Sequence, residues 1–213
     1  MKTYLFDFDG TIVDSMPKFA AAVLRILDEE NISYGDDIIK IVTPLGVLGT
    51  AKYFITLGSK LTIEEIVKKM EIYMTNAYLY EIPAKPTVIE TIKTLKQQGA
   101  DLNILTASPH VTLDPCLKRL GIYDLFSNVW SCDDFNTTKA NPEIYKMVAN
   151  KLNKNLNEIL FVDDNLNADK TAKDAGMQVC GIYDESSKEM VEEIKAVADF
   201  YAYDFKDILN FEF

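Results

Sequence analysis

The string Asp7-Phe8-Asp9-Gly10-Thr11 sets two carboxylates two residues apart, directly after the apolar run Thr3-Tyr4-Leu5-Phe6. Alternation along a strand carries both acids to the same side. At ~4 Å two such charges repel by about 4 kcal/mol at an effective dielectric near 20. A cation, a proton or a lysine must answer that repulsion. A second acidic pair, Asp163-Asp164, ends another apolar run, Ile159-Leu160-Phe161-Val162. Open α/β sheets bind ligands at the carboxyl ends of their strands. Asp7, Asp9, Asp163 and Asp164 are therefore expected to converge. Four acids in one crevice suit a hard divalent ion with oxygen ligands, Mg2+ above all. A lone acid after a strand is usually a turn former or helix cap. Several gathered without a compensating charge would destabilise the fold.

Two weaker signals stand beside the acids. Thr106-Ala107-Ser108 follows the apolar run Leu102-Asn103-Ile104-Leu105, and its hydroxyls and backbone N–H groups could hold phosphate oxygens. Lys139, in Thr138-Lys139-Ala140-Asn141-Pro142-Glu143, gains weight from the acids it could neutralise.

The elements that must position these residues alternate. The three apolar runs read as buried strands, with Val129-Trp130 and Gln178-Val179-Cys180-Gly181-Ile182 as weaker candidates. Between them lie helical patterns. One shares Ile89, Ile92 and Leu95 and stops at Gly99; another has Leu113, Cys116, Leu117 and Leu120 before Gly121. A third has Ile144, Val148 and Leu152 after Pro142; a fourth has Ala168, Thr171, Ala172 and Ala175 before Gly176. This rhythm predicts an α/β fold, a parallel sheet with helices on both faces.

Residues 15–82 break the rhythm. Phe19, Ala22, Val23, Ile26 and Leu27 form one helical stripe, begun by Ser15 and Pro17. Ile63, Ile66, Val67, Met70, Tyr73, Met74 and Ala77 form another, opened by Thr62 and Glu65 at capping-box spacing. Tyr73, Tyr78 and Tyr80 are expected in the interior of this insert, and residues 44–49 as a turn. The predicted organisation is a core of residues 1–14 and 83–213 with a helical insert at 15–82, the chain returning through Ile82-Pro83-Ala84-Lys85-Pro86.

Composition narrows the function. In 213 residues there are 22 Lys and Arg against 33 Asp and Glu, a net charge of −11. That argues against nucleic acid and against an anionic membrane surface. One histidine, His110, cannot build a His-rich zinc site, and Cys116, Cys132 and Cys180 form no CxxC motif. Reduced thiols and a cytoplasmic location are expected. No apolar run approaches the ~18 residues of a membrane span.

With strand, acids, hydroxyl, lysine and acids in this order, the chain resembles the haloacid-dehalogenase-like hydrolase superfamily over nearly its whole length. It looks closest to the small helical-cap phosphatases, the phosphoglycolate-phosphatase-like and β-phosphoglucomutase-like members. Asp7-Phe8-Asp9-Gly10-Thr11 matches the first motif, Ile104-Leu105-Thr106 the second, Lys139 with Pro142 the third, and Phe161-Val162-Asp163-Asp164 with Ala172, Ala175 and Gly176 the fourth. The resemblance implies a Rossmann-like core with a small inserted α-helical cap, and a Mg2+-dependent phosphatase of a small phosphorylated metabolite. It implies Asp7 as nucleophile, Asp9 as acid and base, and Thr106 and Lys139 as phosphoryl-binding groups. Gly10, Thr11, Ala107 and Gly46 are further candidates to line the phosphate site, and Lys52 to face substrate. Mg2+ would rest on Asp7, the Asp9 backbone carbonyl and Asp164, with Asp163 assisting. The chain is expected to act as a monomer or weak homodimer.

Two positions depart from the family pattern. Ala168 stands where an Asp or Asn usually follows the metal-binding acid, flanked by Asn167 and Asp169, and Ala140 stands where proline is common. A phosphomutase shares the same motifs. A phosphoacceptor signalling module combines similar groups, but in a shorter chain whose acidic pair comes early. A silent binding protein would not need both Asp7 and Asp9.

Overall fold

A computed structural model describes residues 1–213, the side chain of Pro44 excepted. It divides into two compact units, Met1–Asp14 with Ile82–Phe213, and Ser15–Glu81.

The first strand, β1 (Thr3–Phe6), is buried at every residue. The second unit follows it with four helices, α1 (Met16–Glu29), α2 (Ile38–Val42), α3 (Gly46–Thr56) and α4 (Ile63–Tyr80). The first unit then resumes with α5 (Val88–Gln97), β2 (Asp101–Thr106), α6 (His110–Arg119), β3 (Asn128–Ser131), α7 (Glu143–Leu152), β4 (Ile159–Asp163), α8 (Leu166–Ala175), β5 (Gln178–Ile182), α9 (Val191–Val197) and β6 (Phe200–Ala202). All six strands form one parallel sheet in the order β3-β2-β1-β4-β5-β6. Phe6 is in register with Ile104 on one side and Val162 on the other. The residues that follow β1, β2 and β4 thus leave the sheet along the same edge, which is the fold's contribution to the site.

The sheet is buried on both faces, with Phe6, Ile104 and Val162 on one and Leu5, Leu105 and Phe161 on the other. Leu5, Leu105, Phe161 and Val179 join Tyr145, Val148 and Ala172 from α7 and α8 in one buried cluster. Beneath β5, a Cβ built on Gly181 would lie 2.3 Å from Ile194 Cγ2 and 3.0 Å from the Tyr201 ring. Here α9 sits so close that only hydrogen fits. The strand β6 carries too short an apolar run to stand out from the sequence; its three residues are strand because β5 offers an edge, with Cys180 opposite Phe200.

The second unit has its own core. Val23, Ile26 and Leu27 of α1 meet Phe54 of α3 and Ile66 and Met70 of α4. Thr62 and Glu65 make the reciprocal capping box at the start of α4. Glu29 binds α1 to α4 by accepting from Lys69 Nζ at 2.6 Å and Tyr73 Oη at 2.7 Å. Those bonds, with one from Arg25, hold its carboxyl down at about 2. Three expectations are corrected here. Residues 46–49 are the first turn of α3, not a turn between helices; the non-helical backbone is confined to Gly46, at φ +63° and ψ 179°, and the helix runs on from it. Tyr80 is 73% exposed at the end of α4 rather than interior. Ser15 is buried ahead of α1 but its side chain makes no cap, since its backbone is already helical. The side chain of Pro44, expected in that turn, lies outside the described residues.

The single histidine ties α6 to the segment after β3. His110 Nδ1 lies 2.8 Å from Asp114 Oδ1 and Nε2 lies 2.9 Å from Asp134 Oδ2. These two carboxylates raise its pKa. The stability from the clamp is therefore fully present below the ordinary histidine value near 6.5 and is lost as pH rises through the raised value. With the imidazole 40% exposed, solvent screens much of it. His110→Gln is expected to lower the urea midpoint at pH 6 and to match wild type by pH 9; a constant difference across that range would contradict the clamp. Gly181→Ala is expected to cost about 1–3 kcal/mol in the same denaturation assay, as overpacked sites do, and an unchanged midpoint would show that α9 yields freely.

Candidate active site

Parallel pairing sets Asp7, at the end of β1, beside Asp163, at the end of β4. The backbone N–H of Asp7 donates to the Val162 carbonyl at 2.9 Å. Carboxylate oxygens of Asp7, Asp163 and Asp164 all lie within 4.8 Å of one another. Asp7 and Asp163 are buried, and Asp164 is 9% exposed. Lys139 answers two of these acids at once, its Nζ 2.7 Å from Asp7 Oδ1 and 2.6 Å from Asp163 Oδ2. The second Asp163 oxygen accepts from the Asn165 backbone N–H at 2.8 Å.

One ammonium does not balance three carboxylates. Burial, with Asp163 and Asp9 adding repulsion, pushes Asp7 up to about 7 despite Lys139. Burial and the neighbouring acids Asp163 and Asp7 push Asp164 well above the ordinary range. Desolvation works against the charge on Lys139, but Asp163 and Asp7 override it and hold the ammonium firmly protonated. The cluster is short of positive charge, and its donors are all oxygen. Such a cluster could hold a hard divalent cation, and Mg2+ fits the residues present. A fourth acid deepens the deficit. Asp169, on the inner face of α8, is fully buried with both carboxylate oxygens unbonded. Burial first, then Asp163 and Asp164, hold it well above the ordinary carboxylate range.

Asp9 does not follow Asp7. Strand β1 ends at Phe6, and the chain curls so that Ile12 and Val13 N–H both donate to the Phe8 carbonyl. Two-residue alternation stops applying there, and the Asp9 carboxylate accepts from Ser108 Oγ at 2.5 Å. Its side chain is outside the three-acid group; its backbone carbonyl is the atom that the resemblance assigned to the metal. The structure thus engages the Ser108 hydroxyl, a candidate phosphate contact in the sequence, with Asp9. Thr106 is fully buried at the end of β2, with its Oγ1 accepting from the Ser108 N–H at 3.1 Å. Thr11 Oγ1 donates to Asp164 Oδ1 at 3.3 Å. Ala107 is exposed in the β2–α6 turn, between Thr106 and Ser108. Ala168 is buried at the start of α8, Asn167 is exposed, and Asp169 turns inward. Gly46 and Lys52 belong to the second unit, on α3.

Gly10 is required by this arrangement twice over. Its φ of +76° is a region that side chains disfavour, and a Cβ would lie 2.6 Å from Asp164 Oδ2. The acid packs directly on the bare glycine.

The sheet order and the lysine-bridged acids at the ends of β1 and β4 define a Rossmann-like α/β fold with an acidic site at its strand ends, and the sequence comparisons give the family. The model of the haloacid dehalogenase-like hydrolases matches residues 1–176, and the chain belongs to that family. It is 30% identical to the protein YhcW of Bacillus subtilis (strain 168) over 189 residues, 84% of this chain and 81% of that one. It is 29% identical to the phosphoglycolate phosphatase of Salmonella typhi over 199 residues, 83% of this chain and 79% of the other. Among solved structures, a predicted phosphoglycolate phosphatase from Haemophilus somnus 129pt superposes with a TM-score of 0.84 at 25% identity, covering 99% of this chain and 97% of that one.

Gly10→Ala is expected to weaken Mg2+ binding measured by calorimetry, since the new methyl must displace the Asp164 carboxylate, and to cost about 1–2 kcal/mol for the backbone alone. Wild-type affinity in a folded variant would show that Asp164 can move aside without consequence.

Proposed function

We propose that the protein is a Mg2+-dependent phosphatase acting on a small phosphorylated metabolite through an aspartyl-phosphate on Asp7. The observation that carries this reading is the buried Lys139 ammonium shared by Asp7 and Asp163 at adjoining strand ends. Membership in the hydrolase family and the phosphoglycolate phosphatase relatives support it.

In this reading an Asp7 oxygen attacks phosphorus while the bond to the leaving oxygen breaks, and Asp9 gives that oxygen its proton. Asp9 then takes a proton from water as the water attacks the same phosphorus, releasing phosphate and freeing Asp7. The Ser108 hydroxyl holds the Asp9 carboxyl in one orientation for both transfers. Lys139 and Thr106 bind the oxygens of the group in transit, with Gly10, Thr11 and Ala107 lining the phosphate site. Asp7, Asp164 and the Asp9 carbonyl would hold Mg2+, with Asp163 assisting; bound there, the ion neutralises charge on the carboxylates and the phosphoryl oxygens. The helical unit Ser15–Glu81 is assigned the role of a cap that excludes bulk water, with Gly46 and Lys52 as candidate substrate contacts.

Asp7→Asn should reduce phosphate release from p-nitrophenyl phosphate to background while the protein remains folded. Turnover at the wild-type rate would remove Asp7 as nucleophile. Asp164→Ala should raise the half-saturating Mg2+ concentration by about tenfold or more, and an unshifted Mg2+ titration would take Asp164 out of the ligand set.

A further inference from the structure

The return segment Ile82–Pro86 carries a lysine whose bonding goes well beyond that of a linker. Lys85 is 15% exposed at its side chain, and each of its three ammonium protons has an acceptor. Nζ lies 2.5 Å from the Gly10 carbonyl, 2.8 Å from the Tyr183 carbonyl and 2.7 Å from Asp184 Oδ2. The first acceptor belongs to the loop that presents Asp7 and Asp9. The other two lie just beyond β5. Asp184 is 6% exposed at its side chain, and although burial works against its charge, Lys85 and Ser186 hold its carboxyl below the ordinary value. The ammonium is thus anchored on one side before it reaches Gly10.

The backbone around Lys85 is fixed to the same loop. Lys85 N–H donates to the Ile12 carbonyl at 2.9 Å, and Asp14 N–H donates to the Pro83 carbonyl at 3.1 Å. Val13 and Ala84 form an antiparallel bridge. Two residues on, Thr87 holds a left-handed φ of +61°, with its hydroxyl donating to Asp204 and accepting from Lys206 N–H. A β-branched residue keeps that backbone only where its surroundings dictate it. The path of the segment is therefore set on both sides of Lys85.

We propose that Lys85 is a positioning residue for the phosphoryl-transfer reaction: by binding the Gly10 carbonyl from an anchor on Asp184 and Tyr183, it fixes the loop that aims Asp7 and Asp9. The inference rests on the assignment of Asp7 and Asp9 to the chemistry. Gly10 has no side chain to hold it, and the φ of +76° leaves its carbonyl orientation to its partners. Misplacing catalytic groups by about 1 Å can cost up to ~10²-fold in rate, and Lys85 is the charged donor on this carbonyl.

The test uses the full-length protein with Mg2+ and p-nitrophenyl phosphate. Lys85→Ala is expected to lower kcat by about tenfold or more with KM within about twofold, while the fold is retained. Removing the side chain beyond Cβ deletes a propylammonium, and Lys85 lines a cleft of about 330 Å3 with Asp14, Pro86, Tyr183, Asp184 and Phe205. Added n-propylammonium is therefore expected to restore part of kcat in Lys85→Ala and to leave wild type unchanged. Hydrogen exchange at Ile12 and Val13, whose N–H groups close the loop on Phe8, should quicken in the variant. Lys85→Met keeps the apolar stem and carries the same expectation for kcat should the alanine variant not fold. Asp184→Asn, which weakens the anchor but keeps Lys85, should show a smaller loss in the same direction. Wild-type kcat in the folded variants, or a loss that tracks only the folded fraction and ignores propylammonium, overturns the proposal. The Asp7→Asn arm separates the two readings. If that variant is inactive and Lys85→Ala is normal, only the role of Lys85 falls. If Asp7→Asn turns over normally, the assignment beneath it falls as well.

Discussion

A single ammonium between two buried carboxylates is the constraint around which this molecule is built. Lys139 bridges Asp7 and Asp163, and it can do so only because β1 and β4 lie side by side in parallel and end together. Bringing those oxygens together out of water is unfavourable, and the lysine offsets only part of it. The remainder falls on the acids themselves: burial and mutual repulsion push Asp7 up to about 7 and hold Asp164 and Asp169 well above the ordinary carboxylate range. A site poised in this way gains most from a ligand of high positive charge. Its features follow from that need. Gly10 is bare so that Asp164 can approach, and Thr11 gives Asp164 a hydroxyl to lean on.

How much of this was legible in the sequence depends on how local each signal is. Buried parallel strands must be apolar throughout, so β1, β2 and β4 announce themselves, and acids placed at their ends share an edge by topology alone. Asp7, Asp163 and Asp164 could be gathered on that logic, whereas Lys139 lies in a loop before α7 and is marked only by the acids it could neutralise and by the family resemblance. The direction of Asp9 could not, because the alternation rule fails one residue after the strand stops, and where β1 stops is a matter of tertiary pairing. Short elements fail for a related reason: β6 exists because β5 gives it an edge. The helix α3 begins at a glycine that reads as a turn in any local scheme, and Tyr80, the last residue of α4, is left exposed where the helix ends.

The three bonds of Lys85 and the burial of Asp169 had no sequence signal. A lone lysine between two prolines resembles a solvated linker, and its three acceptors come from distant stretches of chain. Asp169 occupies an inward position of α8 beside Ala168 and Ala172, where periodicity calls for an apolar side chain. In both cases the chemistry is set by what long-range packing brings near, which no window of neighbouring residues contains.

The strand order also dictates a sequence of events during synthesis. The N-terminal strand occupies the middle of the sheet, with Thr3 beside Asp101 on one flank and Ile159 on the other. It is synthesised before either of its partner strands, and closing such long loops is slow. Residues 15–81, by contrast, contain a complete apolar interior and can collapse early. Until β2 and β4 follow, the nascent chain carries the strand residues Thr3–Phe6 unpaired, while the helical unit can already close its own core.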